Sequence, residues 1–421
     1  MSDNNRIQTS PGCTDDVEPS LLSVEDALGR IMDAVQPVQA VLHKPLRDAL
    51  GEVLAGDVIS PINVPNHTNS AMDGYALRGE ELPVGEIRSY RVIGTAYAGV
   101  PFEAACKEGE CVRIMTGAPM PAGTDTVVMQ EQTEACGEDC VRIGTGHRSG
   151  QNVRQAGEDI AAGSCVLPAG RRINPADLGV LASLGFGELA VRRPLRVAFF
   201  STGDELRSIG EPLAQGEVYD SNRYALHGML KQLGAELLDM GVVRDRPELI
   251  EAAFRQASGM ADVVITSGGV SVGEADYIRE VLAKLGEVGF WKIAIKPGRP
   301  LAFGRVGEAL FFGLPGNPVA VMVTFLQFVK PALLKMAGQT ETGSLQIDAI
   351  CRSRLRKKPG RTEFQRGTFS HTEEGIVVEK SGYQGSGVLT SMTRGNCFIL
   401  LPAESEGVEP GDRVLIQPFG W

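Results

Sequence analysis

The segment LRVAFFSTGDE, residues 195–205, begins the part of the chain that decides the fold. Leu195–Phe200 is apolar except for Arg196, which predicts a buried strand, and the polar segment Ser201–Glu205 follows directly after it. The same succession of strand, loop and helix then recurs. The predicted strands are Glu236–Val243, Ala261–Thr266, Val288–Ile295, Leu301–Phe303 and Ala309–Phe312, and the predicted helices are Asn222–Leu233, Pro247–Ala257, Ala275–Leu285 and Pro318–Met336. This alternation predicts a doubly wound, mostly parallel α/β sheet with helices on both faces.

The sequence on either side of this α/β region predicts further modules. Short β-rich runs separated by Gly/Pro turns predict an inserted β module, with strands at Tyr90–Ile93, Glu110–Ile114, Thr126–Gln130 and Cys140–Ile143. Helical patterns from Ser23, over Leu46–Val53 and from Asn174 predict a small α-rich domain around that module. After Gly338, short strands predict a C-terminal β-barrel. The predicted ranges are a disordered N-terminal arm at 1–20, a discontinuous α-rich domain at 21–60 and 160–192, the β module at 61–159, the α/β domain at 193–337 and the barrel at 338–421.

The charge balance and the apolar runs exclude several classes of function. Lys plus Arg number 41 and Asp plus Glu 52, a formal net charge of −11, which is opposite to the footprint of a nucleic-acid-binding protein. The N-terminus has no basic start followed by an apolar run, so we expect no secretory signal. The longest apolar run, Val319–Val329, is shorter than the roughly 20 residues of a membrane span. We therefore expect a cytoplasmic protein that contacts neither nucleic acid nor membrane.

Eight cysteines in 421 residues are too few to indicate a disulfide scaffold. Two close pairs occur, Cys106 with Cys111 and Cys136 with Cys140. A zinc site built from these four is conceivable, but their spacings are loose for a structural zinc site. Reduced thiols without a special role are the favoured interpretation.

Loops after the predicted strands carry the residues that suggest chemistry. Ligands of open parallel sheets bind beyond the carboxyl ends of the strands, where Gly-rich loops let backbone N–H groups face an anion. Three carboxylates, Glu205, Asp245 and Asp276, follow these strands and would repel a naked phosphate. Together the loops and acids predict a phosphorylated or pyrophosphorylated ligand with Mg²⁺. Taken alone, Asp276 fits a helix cap equally well.

Lys292 and Lys296 are four residues apart on one predicted strand, so they are expected to point to the same face of the sheet. Such a pair beside an anion-binding edge would hold an oxyanion through fixed positive charges. The alternative is an ordinary solvated face. The sequence contains no phosphate-binding loop of the Gly-x-x-x-x-Gly-Lys type, and none of its five histidines lies in the strand-end loops, which argues against a covalent enzyme intermediate.

Several motifs together resemble a known family. The segments SGGVSVG (267–273) with Asp276, STGDE (201–205) and LPGNP (314–318) resemble the molybdopterin-binding domain shared by two enzymes of molybdenum cofactor synthesis. The segment SAMDGYA (70–76) is similar to one of these alone, the molybdopterin molybdotransferase family, which includes the E domain of gephyrin. The resemblance covers residues 21 to 421. It implies an elongated homodimer whose active cleft joins the α/β domain of one subunit to the β module of the other. The implied reaction inserts molybdate into adenylylated molybdopterin with Mg²⁺ and releases AMP.

The resemblance also implies roles for individual residues. The catalytic set is Asp73, Thr116, Asp159, Glu205, Asp245 and Asp276, of which Glu205 and Asp276 are the expected metal ligands. The molybdopterin-binding set is Ser267, Gly268, Gly269, Ser271, Gly273, Pro315, Gly316, Asn317 and Pro318. The molybdate-binding set is Lys292, Lys296, Arg366 and Ser386, with Ser391 as an alternative to Ser386. Molybdopterin adenylyltransferase and molybdoenzyme apoproteins are the expected partners.

Three alternatives stay open at this point. The sister activity, ATP-dependent adenylylation of molybdopterin, shares the Gly-rich loop but lacks the Ser70–Ala76 segment and the barrel. A gephyrin-like scaffold has no need of the acidic residues Asp73, Glu205, Asp245 and Asp276. A relative that inserts tungsten in place of molybdenum would have the same sequence features.

Overall fold

The computed structural model describes residues 21–269 and 276–420. The predicted disordered arm at 1–20 therefore lies outside the described residues. The chain divides into two compact units. The first contains the described residues up to Leu42, Gly51–Val53 and those from Arg192 onward; the second contains His43–Leu50 and Leu54–Val191. The predicted domain boundaries stay a prediction.

A six-stranded sheet forms the centre of the first unit. In spatial order its strands are Glu236–Val243, Arg196–Thr202, Val263–Ser267, Ala309–Leu314, Pro300–Val306 and Gly286–Lys292. The first four run parallel, and the last two are antiparallel additions at one edge. The predicted α/β sheet is confirmed. Its three central strands all end at one edge, which brings their following loops together.

Helices cover both faces of this sheet because its strands are apolar on both sides. Side chains alternate along Arg196–Thr202: Val197 and Phe199 pack into one core, whereas Ala198 and Phe200 pack into the other. Phe200 meets Phe254 edge to face, with ring centroids 5.3 Å apart. The covering helices are Val24–Ala34, Ser221–Gln232, Pro247–Met260, Asp276–Leu285 and the apolar helix from Pro318 to Met336.

The apolar helix from Pro318 to Met336 is longer than its uninterrupted apolar run. It comprises Pro318–Thr324, a π-helical turn at Phe325–Val329 and Lys330–Met336. Its 19 residues and mean hydropathy of 1.5 satisfy the length and composition of a membrane span, which the run Val319–Val329 alone did not suggest. However, 78% of that stretch is buried inside the protein, as in a core helix.

The predicted strand Val288–Ile295 is wrong, because the structure divides it into two strands. Gly286–Lys292 is the antiparallel edge strand of the α/β sheet, and Ile295–Lys296 pairs instead with Thr362–Thr372 of the C-terminal region. Between them, Ala294 N–H donates to Leu22 O at 2.8 Å, which takes the backbone out of the first sheet.

The C-terminal region of the first unit is a closed five-stranded β-barrel, as predicted. In ring order its strands are Thr362–Thr372, Gly375–Lys380, Ile347–Cys351, Arg413–Pro418 and Cys397–Leu401, and the last pairs with the first. Cys351, Val378, Ile399 and Ile416 are fully buried in its core. Short pieces complete the region: the strands Leu355–Arg356 and Gly407–Val408 and the helix Thr390–Arg394.

The second unit is built on a six-stranded sheet that matches the predicted β module. In spatial order its strands are Thr126–Met129, Gly74–Leu77, Glu110–Ile114, Arg88–Ala96, Cys140–Ile143 and Thr133–Gly137. Helix Pro175–Ser183 packs in a separate small core with Leu54 and Val58. The unit also contains shorter strands: Val58–Ile59, Asn69–Ser70, Val153–Arg154, Cys165–Leu167, and the pair Val41–Pro45 and Glu188–Arg192, which lies at the boundary of the unit.

Two expectations for the α-rich segments differ from the structure. The predicted helix over Leu46–Val53 is wrong: only Leu46–Asp48 forms a short 3₁₀ turn. Pro45 precedes the turn, and Gly51 adopts φ 79, so too few helical residues remain to continue it. The helix Val24–Ala34 packs against the core of the α/β region, so it does not share a core with Pro175–Ser183.

The cysteines also differ from the favoured interpretation. Cys136 and Cys140 form a disulfide at the end of the hairpin Thr133–Ile143, so this pair is not reduced. Cys106 and Cys111 are buried free thiols, and burial raises their pKa to about 11 and about 12. Among the described residues, no group of three His, Cys, Asp or Glu side chains is placed to hold a metal ion.

Candidate functional site

The loops after the three central strands of the α/β sheet meet at its carboxyl edge. Gly268 N–H, just after Val263–Ser267, donates to Leu314 O at the end of the neighbouring strand, at 3.2 Å. A Cβ built on Gly316 would lie 4.0 Å from Gly268 Cα. The structure thus brings together the predicted ligand residues of two loops, Ser267–Gly269 and Pro315–Gly316.

Glycine is required at two positions of the first loop. Gly268 has φ +91, and a Cβ there would lie 2.6 Å from the backbone oxygen of Thr202. Gly269 has φ +67, and its Cβ would meet Ile278 Cδ1 at 2.0 Å. No other residue fits either position without displacing backbone or core. The loop therefore presents bare backbone at the edge of the sheet, as a phosphate-binding loop must.

Buried hydroxyl groups at the same edge lack hydrogen-bond partners. Ser201, Thr202 and Thr266 are each at most 4% exposed, and none of their side-chain oxygens has a partner among the described residues. Buried polar groups in folded proteins are nearly always paired, so three such oxygens at adjacent strand ends indicate a place where a ligand or ordered water completes the bonding.

Asn222 is a residue of this edge that sequence reasoning missed. Its side-chain Nδ2 donates to Ser267 Oγ at 2.8 Å and to the backbone oxygen of Gly316 at 2.7 Å. It lies in the first turn of helix Ser221–Gln232, where Asp220 caps the helix by accepting from Arg223 N–H at 3.1 Å. The only sequence signal was a polar cluster at a helix start, which capping explains equally well.

The remaining residues of the predicted molybdopterin-binding set lie in different surroundings or outside the described residues. Ser271 and Gly273 lie outside the described residues. Pro315 is buried, and Pro318 occupies the first turn of the apolar helix, whose preceding residue is Asn317. The backbone oxygen of Asn317 accepts from Val321 N–H at 3.0 Å, while its side chain makes no capping hydrogen bond.

The predicted acidic residues are partly brought together. The exposed carboxylate of Glu205 folds back over Gly203, where a built Cβ would lie 2.5 Å from Glu205 Oε2. Asp245 N–H donates to Asp204 Oδ1 at 3.4 Å, so Asp204 is the acidic residue that contacts the Asp245 loop. Asp276 begins helix Asp276–Leu285, and its side chain lies outside the described residues.

These carboxylates fit Mg²⁺ in the chemistry of their donors. Mg²⁺ takes hard oxygen ligands and is commonly held by one or two carboxylates with waters and substrate phosphates. Glu205 supplies an exposed carboxylate beside the Gly-rich edge, and Asp204 supplies a second one in the same loop. No larger acidic cage is required for such a site.

The predicted pairing of Lys292 with Lys296 on one strand face is wrong, because the two lysines belong to different sheets. The Lys296 side chain is half-exposed, and its Nζ lies 3.0 Å from Oε1 of Glu363, whose side chain is buried. Lys296 also lines a groove of about 760 Å³ with Arg356 and Lys357. Lys292 ends the edge strand opposite Pro300.

Arg366 is buried, with 1% of its surface exposed. Its Nε donates to Ser391 Oγ at 3.1 Å and its Nη2 to the backbone oxygen of Gly385 at 3.2 Å. Desolvation by burial lowers its pKa to about 10, against the smaller opposing effect of Glu363. Ser391, not Ser386, is therefore the serine beside Arg366; Ser386 O instead accepts from Val319 N–H at 3.0 Å, next to the Asn317–Pro318 loop.

In the second unit, Asp73 and Thr116 form a compact pair. Asp73 Oδ1 accepts from both the backbone N–H and the Oγ1 hydroxyl of Thr116, each at 2.7 Å. The two hydrogen bonds, the backbone one first, hold the pKa of Asp73 below its ordinary value. Asp159 is exposed, and its backbone N–H donates to Val64 O at 3.1 Å; no hydrogen bond among the described residues joins it to Asp73 or Thr116.

Three family models match consecutive parts of the chain. Residues 22–185 match the MoeA N-terminal region (domain I and II), and residues 198–335 match the probable molybdopterin binding domain. Residues 348–419 match the MoeA C-terminal region (domain IV).

Similar proteins cover nearly the whole chain. A molybdopterin molybdenumtransferase of Haemophilus influenzae is 43% identical over 401 residues, which are 95% of this chain and 99% of that protein. The gephyrin of Dictyostelium discoideum is 31% identical over 95% of this chain and 63% of its own length. Among solved structures, a molybdopterin biosynthesis moeA protein from Pyrococcus horikoshii OT3 is similar with a TM-score of 0.83 and 29% identity, covering 94% of this chain and all of that one.

Proposed function

The chain belongs to the molybdopterin molybdenumtransferase family of enzymes, and we propose that it inserts molybdenum from molybdate into adenylylated molybdopterin, with Mg²⁺, and releases AMP. The carboxyl edge of the α/β sheet carries this proposal. There Gly268 and Gly269 present bare backbone, and the buried hydroxyls of Ser201, Thr202 and Thr266 have no partner in the part of the chain that the structure describes. The oxygens of a phosphorylated ligand would accept hydrogen bonds from these hydroxyls and from the backbone N–H groups of the loop.

The acidic residues of this edge suit cleavage of a pyrophosphate bond. When bound, Mg²⁺ would neutralise charge on the pyrophosphate oxygens. Glu205, with Asp276 as the second predicted ligand, would hold the metal beside the Gly-rich loop. Asp245, whose backbone is tied to Asp204, would orient the group that is cleaved. The strand-end backbone N–H groups would bind the phosphate and keep the scissile bond in place.

Molybdate is a dianion, and the net charge of −11 on the chain would repel it unless positive charge is concentrated locally. We assign this role to Lys292 and Lys296; the side chain of Lys296 is half-exposed, and its ammonium lies beside the carboxylate of Glu363. Arg366 is buried against Ser391 and Gly385, so it would position the loop that carries Ser386 beside the ligand. Lys296→Ala should raise the KM for molybdate about tenfold and leave the KM for the pterin substrate unchanged.

A homodimer is part of this proposal. Five large apolar side chains between Ile209 and Tyr224 are 44–62% exposed, and a second copy of the chain would cover them: Ile209, Leu213, Val218, Tyr219 and Tyr224. In the dimer, Asp73, Thr116 and Asp159 of one subunit would act with Glu205 of the other. Asp73→Ala and Glu205→Gln proteins, each with strongly reduced activity alone, should regain activity when mixed and re-formed as heterodimers, since one of the two sites is then intact.

The decisive experiment supplies purified protein with adenylylated molybdopterin, Mg²⁺ and molybdate. We expect AMP together with a cofactor that activates a molybdoenzyme apoprotein, and we expect Asp276→Asn to lose nearly all AMP release while its oligomeric state is unchanged. AMP that appears only after ATP and unmodified molybdopterin are added would favour the adenylyltransferase. If neither AMP nor active cofactor is formed under any of these conditions, a gephyrin-like scaffold is favoured. Tungstate in place of molybdate tests the metal preference.

The cellular setting follows from this reaction. We propose a cytoplasmic location and direct contacts with a molybdopterin adenylyltransferase, which supplies the substrate, and with molybdoenzyme apoproteins, which accept the product. Co-purification of the adenylyltransferase with the tagged chain would support a direct contact. A Val218→Glu variant, which alters the exposed apolar segment between Ile209 and Tyr224, should lose this co-purification only if the contact overlaps that segment.

A further inference from the structure

We propose that Asn222 is a positioning residue that ties the two ligand loops of the α/β sheet to each other. The inference rests on the proposed function, in which both loops bind the pterin substrate. One side-chain nitrogen, Nδ2, donates both to Ser267 Oγ at 2.8 Å and to Gly316 O at 2.7 Å. Asn222 is thereby linked to residues 45 and 94 positions further along the chain.

The orientation of the Asn222 amide is fixed by its partners. A backbone oxygen only accepts hydrogen bonds, so the NH₂ group must face Gly316. The other end of the amide, Oδ1, is buried and has no partner among the described residues. An aspartate at this position has the same shape but would place an acceptor against Gly316 O, so the link to Gly316 would be lost and the tie between the two loops broken, although the Ser267 hydroxyl can still donate to the carboxylate.

Asn222 is itself held firmly. It is 9% exposed and lies in the first turn of helix Ser221–Gln232. Asp220, 2% exposed, caps that helix, and Arg223 reaches across to Asp239 with Nη1 3.0 Å from Oδ1. The helix start is thus fixed to the neighbouring strand, and Asn222 transmits that rigidity to the two loops.

Rigid loops matter here because they are rich in glycine. Gly268 and Gly316 have more backbone freedom than other residues, and a ligand that orders them loses binding free energy. A side chain that joins Ser267 to Gly316 before binding removes part of that cost. The consequence should fall on the pterin substrate, which the loops hold, and not on molybdate, which we assign to the lysines.

The test is Asn222→Asp, compared with Asn396→Asp. Asn396 also bridges backbone with its amide, to Phe369 N at 2.8 Å and Phe369 O at 3.0 Å, but it does so in the barrel. We expect Asn222→Asp to raise the KM for adenylylated molybdopterin about tenfold while the KM for molybdate stays within about twofold. Hydrogen exchange without ligand should accelerate at the backbone amides of 263–269 and 313–319, and Asn396→Asp should change neither readout.

Unchanged exchange in both loops would overturn the proposal, and so would an equal rise of both KM values. If the wild-type chain releases no AMP, the proposed function fails, whereas the exchange measurement still decides the role of Asn222. Should Asn222→Asp fail to fold, Asn222→Ser, which is smaller and neutral, carries the same exchange and KM measurements.

Discussion

Two regions contain predicted catalytic residues: the carboxyl edge of the α/β sheet and the Asp73–Thr116 pair of the β module. They differ in whether their polar side chains are already hydrogen-bonded within the protein. Asp73 is already held by two donors at 2.7 Å. At the sheet edge, in contrast, the hydroxyls of Ser201, Thr202 and Thr266 are buried and have no partner within residues 21–269 and 276–420. The first region is already hydrogen-bonded within the protein, whereas in the proposed function a bound ligand would complete the second. Substitutions in the two regions should therefore have different consequences for activity, ligand binding and stability.

The largest effect should come from the exposed acid of the sheet edge. Glu205→Gln removes a charge that the metal and pyrophosphate need, so AMP release should fall by about 100-fold or more. Because Glu205 is exposed, the melting temperature should not change. Quenched-flow or steady-state AMP measurements check the rate. Glu211→Gln, an exposed neighbour in the same segment, is the control, and equal losses in both variants would remove Glu205 from the site.

Gly268→Ala tests the claim that bare backbone is needed at this edge. With φ +91 and a Cβ 2.6 Å from Thr202 O, alanine should lower the free energy of unfolding by about 1–3 kcal/mol and weaken binding of adenylylated molybdopterin. Denaturant titration and equilibrium binding measure the two effects. Gly259→Ala lies in helix Pro247–Met260 with nothing within 4 Å and should be neutral or stabilising. A Gly268→Ala protein with wild-type affinity would contradict the close approach.

In the β module, Asp73→Asn should reduce activity without affecting binding of the pterin. The amide keeps the shape and still accepts from Thr116, but it lacks the charge, so we expect AMP release to fall about tenfold. Activity at saturating substrate is the measurement, with Glu134→Gln on an exposed strand of the same sheet as the control. A lower affinity with an unchanged rate would instead place Asp73 among the binding residues.

The smallest effect concerns pH and the Asp73–Thr116 pair. The pKa of Asp73 in the folded protein is below its ordinary value of 3.8, so ionised Asp73 stabilises the fold at any pH above that value. This contribution is lost as the pH falls through the lowered pKa. Thr116→Val removes the side-chain donor and keeps the backbone one. Its melting temperature should be slightly below wild type from pH 7 to 5, and the difference should shrink as the pH falls through the lowered pKa of Asp73. A difference that persists in acid would reflect packing.

Much of the fold was predictable because its signals are local. Leu195–Phe200 and Ala261–Thr266 are mainly apolar, with one charged residue at the second position of each, and Asn174 with Pro175 marks a helix start; the two strands and the helix are confirmed. The errors arose where tertiary contacts override local pattern. Leu46–Val53 has helical spacing but too little room between Pro45 and Gly51, and the backbone at Ala294 leaves its sheet to pair with Leu22.

The sequence by itself determined the family, the order of modules and the Gly-rich loops at the ends of the strands. It did so because periodicity, turns and short motifs are properties of neighbouring residues. Only the tertiary structure decided that Arg366 is buried beside Ser391, that Lys296 faces Glu363, and that Asn222 links Ser267 to Gly316. These contacts join residues 25 to 94 positions apart. They form because of the way the elements of the fold become neighbours, which no local pattern in the sequence specifies.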